Sequence, residues 1–403
     1  MITDADIQEI LASYKVNSPS DITIGVLGGH SALDVCAGAK KYGFKTLAVC
    51  RKGREKTYSQ YYRTRDASNR AGTTIGCVDD VIVLDSFGDV LLPEVQQKLL
   101  EKKTIFVHNR YFWVYCDFEK VQNEFRVPIF GLRQGVAMEE RDHPNNQYKI
   151  LQKAGIRIPK IVREGGVVME EGELRSALEN HFAESESPLI VKASEATRSY
   201  ERAFFVINSV DDYFTLGGKM VEEGKVTQEN LKQAVIEEYV LGAHVNLNYF
   251  YSPFAGEVEL MGTDTRRQTN LDGLLRLDAR EQSRLLSRGF KPKMIETGHY
   301  AVTMKESLVE KALELGEKFV QTMKTEAAPG MIGPFALQGA VVAEDGREEF
   351  VIFDVSMRIP GSPGTRFTPY SGYLYGESLS VGERVALELA EGLKQGRLHE
   401  LLT

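Results

Sequence analysis

Residues 351–358 read VIFDVSMR, an apolar strand interrupted by one acid and closed by one arginine, directly after FALQGAVVAEDG and REEF at 335–350. A carboxylate inside so apolar a strand is costly unless something compensates it. Strand alternation puts Asp354, Ser356 and Arg358 on one face. The Glu344-Asp345-Gly346 turn folds FALQG back beside them, so Gln338 and Asp354 can converge on one Mg2+, which keeps water or phosphate in its other positions. Arg358 then stands where the charge of a transferring phosphoryl group develops. Alone, the same residues also read as a structural Asp-Arg pair.

Working outward, other pieces fall in a fixed order. Lys192 on PLIVKAS (188–194) can place its ammonium against phosphate oxygens. IEEYVLG (236–242) reads as a hinge strand, where Glu238 and Val240 offer backbone groups to an adenine edge and Glu237 accepts from its amino group. Near the start, ITIGVLGG, HSALDVCAGAKKYG and FKTLAVC form a strand-helix-strand unit, followed by the strands DDVIVLDS, KTIFVHN and VPIFG. GVLGGHSALD leaves backbone N–H groups and Ser31 to bind an anion at a helix start, with His30 in the ligand loop. It lacks GxGxxG, which leaves a nicotinamide oxidoreductase reading resting on one unit alone.

The predicted architecture is α/β and α+β, of the ATP-grasp type, with an N-terminal doubly wound α/β domain and two antiparallel lobes clamping a nucleotide. Its boundaries are placed at 1–135, 136–250 and 251–403. Residues 160–250 read as short strands around one helix, extended by VNLNYFYSP and EVELMGTDTRR; a long helix follows residue 300 and a last one ends the chain. A length of 403 residues suits several domains and a cleft between them. The formal charge of -8 argues against a nucleic-acid surface, and no stretch reaches a membrane-spanning length. The first segment carries no export signal, so a cytoplasmic enzyme is expected. Cys36, Cys50, Cys77 and Cys116 lack CxxC spacing and read as buried free thiols.

Taken together, GGHSALDVCAGAKKYGFKT, VPIFG, IEEYVLG, NYFYSP, VELMGTDTRRQTNLDGLLRL, IGPFALQ and FDVSMR resemble the archaeal 5-formaminoimidazole-4-carboxamide ribonucleotide (FAICAR) synthetase family over nearly the whole chain. The resemblance implies an ATP-dependent ligase of purine (IMP) biosynthesis that joins formate to the 5-amino group of aminoimidazole carboxamide ribonucleotide (AICAR) through formyl phosphate. It implies ATP contacts from Lys192, Arg198, Arg202, Glu237, Glu238, Val240 and His244, and Mg2+, or Mn2+ in its place, on Gln338 and Asp354. It further implies catalytic roles for Arg358 and His30, and substrate contacts from His30, Ser31, Asp264, Arg266 and Asp272. Arg266 could instead pair with Asp264 or Asp272. The family's tendency to assemble makes a homo-oligomer the expectation, with formate and AICAR as small-molecule partners and no nucleic acid or membrane.

The departures from the family pattern are specific. A glycine-rich loop of the type GARGGRGYF is replaced by EATRSYERAFF, which keeps Arg198 and Arg202 in register. Side chains with a Cβ cannot wrap phosphate as closely by backbone, but two guanidinium forks can hold it. Asp354 replaces a family Glu; Ser356 stands where ATP-grasp proteins often carry a metal-binding Asn; PGSPGTRFTPYSGY and VHNRYF replace the family wording near the substrate. Two other readings therefore stand beside the first: a paralogue that binds or senses purine nucleotides without catalysis, and a ligase for a different carboxylate and amine.

Overall fold

The computed structural model describes residues 2–67, 72–141, 143–193, 204–290, 292, 295–344 and 346–403. Arg198, Arg202 and Asp345 lie outside them.

The opening unit folds as read. A five-stranded parallel sheet has the spatial order Asp80–Leu84, Lys45–Arg51, Thr23–Leu27, Thr104–Val107, Ile129–Phe130. The first strand lies in the middle, buried at every residue, because helices cover both faces and an all-apolar run is needed. The chain adds strands to one side of it and then to the other, so the loops after Leu27 and Val107 flank the topological switch point. The first loop carries His30, and the second leads into the helix Arg110–Tyr115, whose first residue is Arg110.

The second sheet is antiparallel, ordered Phe204–Ile207, Leu189–Lys192, Val235–Glu238, Ile161–Arg163. Around it the single expected helix is replaced by three, Glu171–Glu184, Val210–Glu222 and Gln228–Lys232. The middle one is hidden in sequence by Gly217-Gly218, which lower helix propensity. Its signals are Ser209, which caps Asp212 N at 3.2 Å, and the close approach of Leu231, 2.9 Å from where a Gly217 Cβ would stand.

The third sheet is also antiparallel, ordered Glu296–Ala301, Glu257–Gln268, Ala243–Ser252, Gly333–Glu344, Arg347–Ser356. VNLNYFYSP and EVELMGTDTRR thus belong with the late strands rather than with the second sheet. A boundary at residue 250 would cut the strand Ala243–Ser252, whose hydrogen bonds run to 257–264 and 333–341. The long helix Glu306–Glu326 closes the sheet's core face with Leu308, Ala312, Phe319, Val320 and Met323, an i, i+4 series. The Tyr249 hydroxyl donates to the Ala312 carbonyl at 2.7 Å, fixing helix to sheet.

The C-terminal helix Val381–Lys394 leaves that lobe and packs on Ala32–Lys41 of the first domain, sharing one core with it. The approach is backbone to backbone: a Cβ on Gly38 would stand 2.3 Å from the Gly382 carbonyl carbon. Arg384 on this helix reaches the third sheet, donating to both oxygens of Glu259 at 2.8 and 2.7 Å and to Glu388 at 2.8 Å, with Phe250 beneath its guanidinium. This buried, fully hydrogen-bonded network ties first domain and third sheet into one frame. All four cysteines are free, and three of them are buried. No helix among the described residues is long and apolar enough to cross a membrane.

Candidate active site

The strand that ends in Arg358 reaches the cleft through a bulge. Gln338 pairs with Asp354 but Gly339 pairs with Ile352, so Phe353 is an extra residue. Strict alternation from the core residues Phe350 and Ile352 would drive Asp354 inward. The bulge reverses the phase. Val355 and Met357 enter the core instead, while Asp354, Ser356 and Arg358 line one cleft.

Three walls enclose that cleft: Lys192, Phe204 and Val235 from the second sheet; Asn246, Asn248, Arg266, Gln338 and the Asp354 strand from the third; His30, Arg110 and Trp113 from the first domain. Glu139, Glu140, Arg141 and Gln147, with Pro360, Gly361 and Ser362, close the floor. Gln338, Asp354, Arg358, Lys192, Arg266 and His30 therefore meet in one place.

At the second-sheet end, Lys192 is buried and its ammonium pairs with the buried Glu237. Tyr148 Oη lies 2.5 Å from Glu237 and accepts from Lys192 at 3.2 Å. Burial lowers the Lys192 pKa, and Glu237 partly opposes it. Glu237 is thus held by Lys192 and Tyr148 behind the cleft surface. The N–H groups of Glu238 and Tyr239 bond to Lys160 and Pro188 carbonyls at 2.9 and 2.8 Å. Val240, Ala340, Val351 and Phe353 make a small apolar cluster, with the exposed His244 ring 5.4 Å from Phe353.

In the middle, the Gln338 amide oxygen accepts from Arg266 and its nitrogen donates to Ser356 at 3.1 Å. Asp354 meets Arg141 at 3.4 Å. Cations therefore already face both oxygens offered for a metal. Among the described residues no three His, Cys, Asp or Glu side chains could cage one. A single carboxylate and an amide oxygen in direct cross-strand register suit an Mg2+ held mainly by nucleotide phosphates, so the donor set fits.

Deeper, Arg358 meets Glu139 at 3.3 Å, and Glu139 accepts from Met357 N at 2.7 Å. Burial raises the Glu139 pKa to about 7, with Arg358 opposing. Arg358 Nε and Asn248 Oδ1 are buried on this wall with no partner among the described residues. One donor and one acceptor there await a ligand.

On the first-domain side His30 has φ 51°, a left-handed turn that swings its ring to the cleft against Gly361, where a Cβ would stand 2.6 Å from Nε2. The residue is exposed, but the walls strip solvent from its ring; that desolvation, with Arg358 and Arg110 nearby, lowers its pKa well below 6.5. Ser31 is not free for an anion, as sequence suggested, because its buried hydroxyl donates to the Pro360 carbonyl.

Arg266 pairs with Glu296 at 3.3 Å and with Gln338, not with Asp264 or Asp272. Asp272 meets Arg267 at 3.6 Å, away from the cleft lining. Asp264 is wholly buried behind the wall, accepting from Asn246 and Asn248 at 2.8 and 2.6 Å and from His299. His299 also reaches Glu296 at 2.8 Å through Nε2. Burial would lower its pKa, yet the two carboxylates raise it to about 9. Sequence reading missed His299, Glu296, Arg110, Arg141 and Glu139. Only the ETGHYA alternation at 296–301 hinted at an edge strand.

A switch-point loop on a parallel sheet, facing two antiparallel sheets across an arginine-lined cleft, defines an ATP-grasp fold. Curated relatives match over nearly their full length: the 5-formaminoimidazole-4-carboxamide-1-(beta)-D-ribofuranosyl 5'-monophosphate (FAICAR) synthetases of Methanopyrus kandleri, at 32% identity over 100% of both chains, and of Methanothermobacter thermautotrophicus, at 35% over 99% of this chain and 98% of that one. The chain belongs to the FAICAR synthetase family. Family models described as "Protein of unknown function (DUF1246)" and "Domain of unknown function (DUF1297)" match residues 24–162 and 212–403. The crystal structure of an IMP biosynthesis protein PurP from Thermococcus kodakaraensis superposes with a TM-score of 0.64 at 25% identity, covering 94% of this chain and 100% of that one. An ADP complex of purK, N5-carboxyaminoimidazole ribonucleotide synthetase, shares the fold at a TM-score of 0.56 and 15% identity, over 91% of this chain and 79% of that one.

Proposed function

We propose that this chain joins formate to the 5-amino group of AICAR at the expense of ATP, giving FAICAR, ADP and phosphate. The observation that carries the reading is the bulge that turns Asp354, Ser356 and Arg358 into the same cleft as Gln338 and Lys192. Adenine stacks against the Val240, Ala340 and Phe353 cluster beside His244 and the Glu237-Glu238 strand end. Lys192 exchanges Glu237 for phosphate oxygens. Asp354 and Gln338 would hold Mg2+, which would supply neutralisation of the phosphate charge, and Arg141 and Arg266 beside them turn toward the nucleotide. Arg358 stabilises charge on the phosphoryl group as formate attacks it. The formyl phosphate so formed lies toward His30, which is neutral near pH 7 and bonds the formyl group while the amine attacks. Ser31 holds the His30 loop to Pro360. Asp264 and Asp272 support the wall that carries Arg266 and Arg267. The protein works in the cytoplasm as a homo-oligomer; a monomer in sedimentation would refute that last part.

Phosphate release from ATP with Mg2+, formate and AICAR tests the reading, each component being omitted in turn. Turnover that requires all of them is expected. Binding of ATP and AICAR with no turnover would favour the sensing paralogue, which the EATRSYERAFF loop supports. Turnover with another acid would keep the ligase class and discard formate.

Arg198 and Arg202 replace the missing backbone cradle on this reading. Converting both to alanine weakens ATP binding at least about tenfold, or ~1.4 kcal/mol, measured by calorimetry. Unchanged affinity would remove these residues from the site.

A further inference from the structure

The proposed reaction leaves one proton without a destination. When the amine adds to formyl phosphate, its nitrogen bonds to the formyl carbon and the carbon–oxygen bond to phosphate breaks, the electron pair leaving on phosphate. The nitrogen must lose one proton, and an aromatic amine that has added to a carbonyl is acidic enough for a carboxylate to take it.

Among the described residues, the cleft-lining carboxylates outside the metal strand are Glu139, Glu140 and Glu296. Glu139 is turned into the protein, under Arg358 and against Met357 N. Glu140 precedes Arg141, whose guanidinium lies over Phe204 of the second sheet. Glu296 is different. It begins the edge strand, its side chain is 30% exposed, and its field reaches both His30 and Arg110 at the switch point. One oxygen is fixed by His299 Nε2 at 2.8 Å, and the other lies in an ion pair 3.3 Å from Arg266 Nε. Behind it His299 is anchored through Nδ1 to Asp264, itself locked by two asparagine amides, with Ser362 Oγ 3.1 Å from the same nitrogen. A buried carboxylate, a histidine and a cleft-facing carboxylate in series are more than an edge strand needs for stability. They hold one side chain in one orientation on the side of the cleft that faces His30 and Arg110.

Resting on the formate ligase reading, we propose that Glu296 accepts the proton of the attacking amine, with His299 and Asp264 as the positioning residues that aim it. The proton passes on to the departing phosphate or to water. Phosphorylation of formate does not involve this group.

Hydroxylamine separates the two halves, because it captures an acyl phosphate as the hydroxamate without help from a protein base. With ATP, Mg2+ and formate, the wild-type protein yields formohydroxamate when hydroxylamine is present and FAICAR when AICAR is present. Glu296→Gln lowers the FAICAR rate at saturating AICAR at least about a hundredfold, while hydroxamate formation stays within threefold. His299→Gln, which keeps a donor toward Glu296, retains more FAICAR synthesis than His299→Ala, with hydroxamate formation equal in both. Melting curves establish that the variants are folded. Parallel loss of both products in folded Glu296→Gln, or retention of both, overturns the assignment of Glu296 and leaves the ligase reading standing. A wild-type protein that makes neither product overturns both.

Discussion

Replacing Arg358 with methionine lowers kcat about a thousandfold at saturating ATP, formate and AICAR, and leaves the protein folded. The size follows from position. A buried guanidinium aimed at developing phosphoryl charge acts where water cannot screen it, and losing one such donor costs on the order of 10²–10³ in rate. The concern with any buried arginine is the charge it leaves behind, since breaking a buried pair by removing one partner costs ~3–5 kcal/mol. Here the partner has an exit. Glu139 already titrates at about 7 with Arg358 present, because burial disfavours its anion. Without the arginine its pKa rises further, and it takes a proton at neutral pH instead of remaining as an isolated anion. The stability loss is therefore modest, and Arg358→Met with Glu139→Gln is as stable as the single variant. Arg358→Lys recovers part of kcat, because an ammonium supplies charge but not the planar fork. His30 gives an independent readout. Arg358 is among the causes that lower its pKa, so the imidazole titrates higher in the methionine variant when followed by NMR. A kcat within threefold of wild type would remove Arg358 from the transition state.

The parts of this site legible in sequence were those that rest on local chemistry. An acid in an apolar strand, a lysine at a strand end and a double glycine after a first strand each carry a reason within a few residues, and the ordered blocks carried the family. What was hidden depends on register or on long-range neighbours. Alternation alone correctly grouped Asp354 with Ser356 and Arg358, but nothing in VIFDVSMR announces the extra residue at Phe353 that turns this group outward. Arg266 was expected beside the acids of its own strand and loop; in the sheet its neighbours are Gln338, two strands away, and Glu296, on an edge strand not recognised in sequence. Ser31 looked available because its acceptor, Pro360, lies far along the chain. The strand Ala243–Ser252 could be assigned to either antiparallel sheet until its partners were known, since both would accept the same alternation. The helix Val381–Lys394 reads as a terminal amphipath of its own lobe, and only Gly38 facing Gly382 reveals that it belongs equally to the first domain.

The stability advantage of the wild-type protein over His299→Gln against urea falls by about 3 kcal/mol between pH 6.5 and 9.5. The imidazolium lies between Asp264 and Glu296, which raise its pKa from 6.5 to about 9 against the opposing effect of burial. A folded-state value above the unfolded one means that the native protein binds more protons in the interval. Stability is then fully present below about 6.5 and is lost as pH rises through about 9. At ~1.4 kcal/mol per pH unit the interval corresponds to about 3 kcal/mol, and with His299 only 11% exposed solvent screening takes little from it. Asp264 contributes the other side of the same interaction: burial would raise its pKa, but His299 and the asparagine amides hold it low, so the two shifts are one energy and are not added. In the glutamine variant the positive charge is gone at every pH. It starts less stable at pH 6.5 and lacks the His299 share of the loss, so the two proteins converge near pH 9.5. Measuring urea midpoints at closely spaced pH values decides the matter, and parallel curves for the two proteins would mean that His299 is uncharged in the fold. The same titration carries a consequence for chemistry. Above pH 9 the neutral imidazole no longer holds Glu296 by charge, so FAICAR formation declines there while hydroxamate formation persists, provided both are assayed where the protein remains folded.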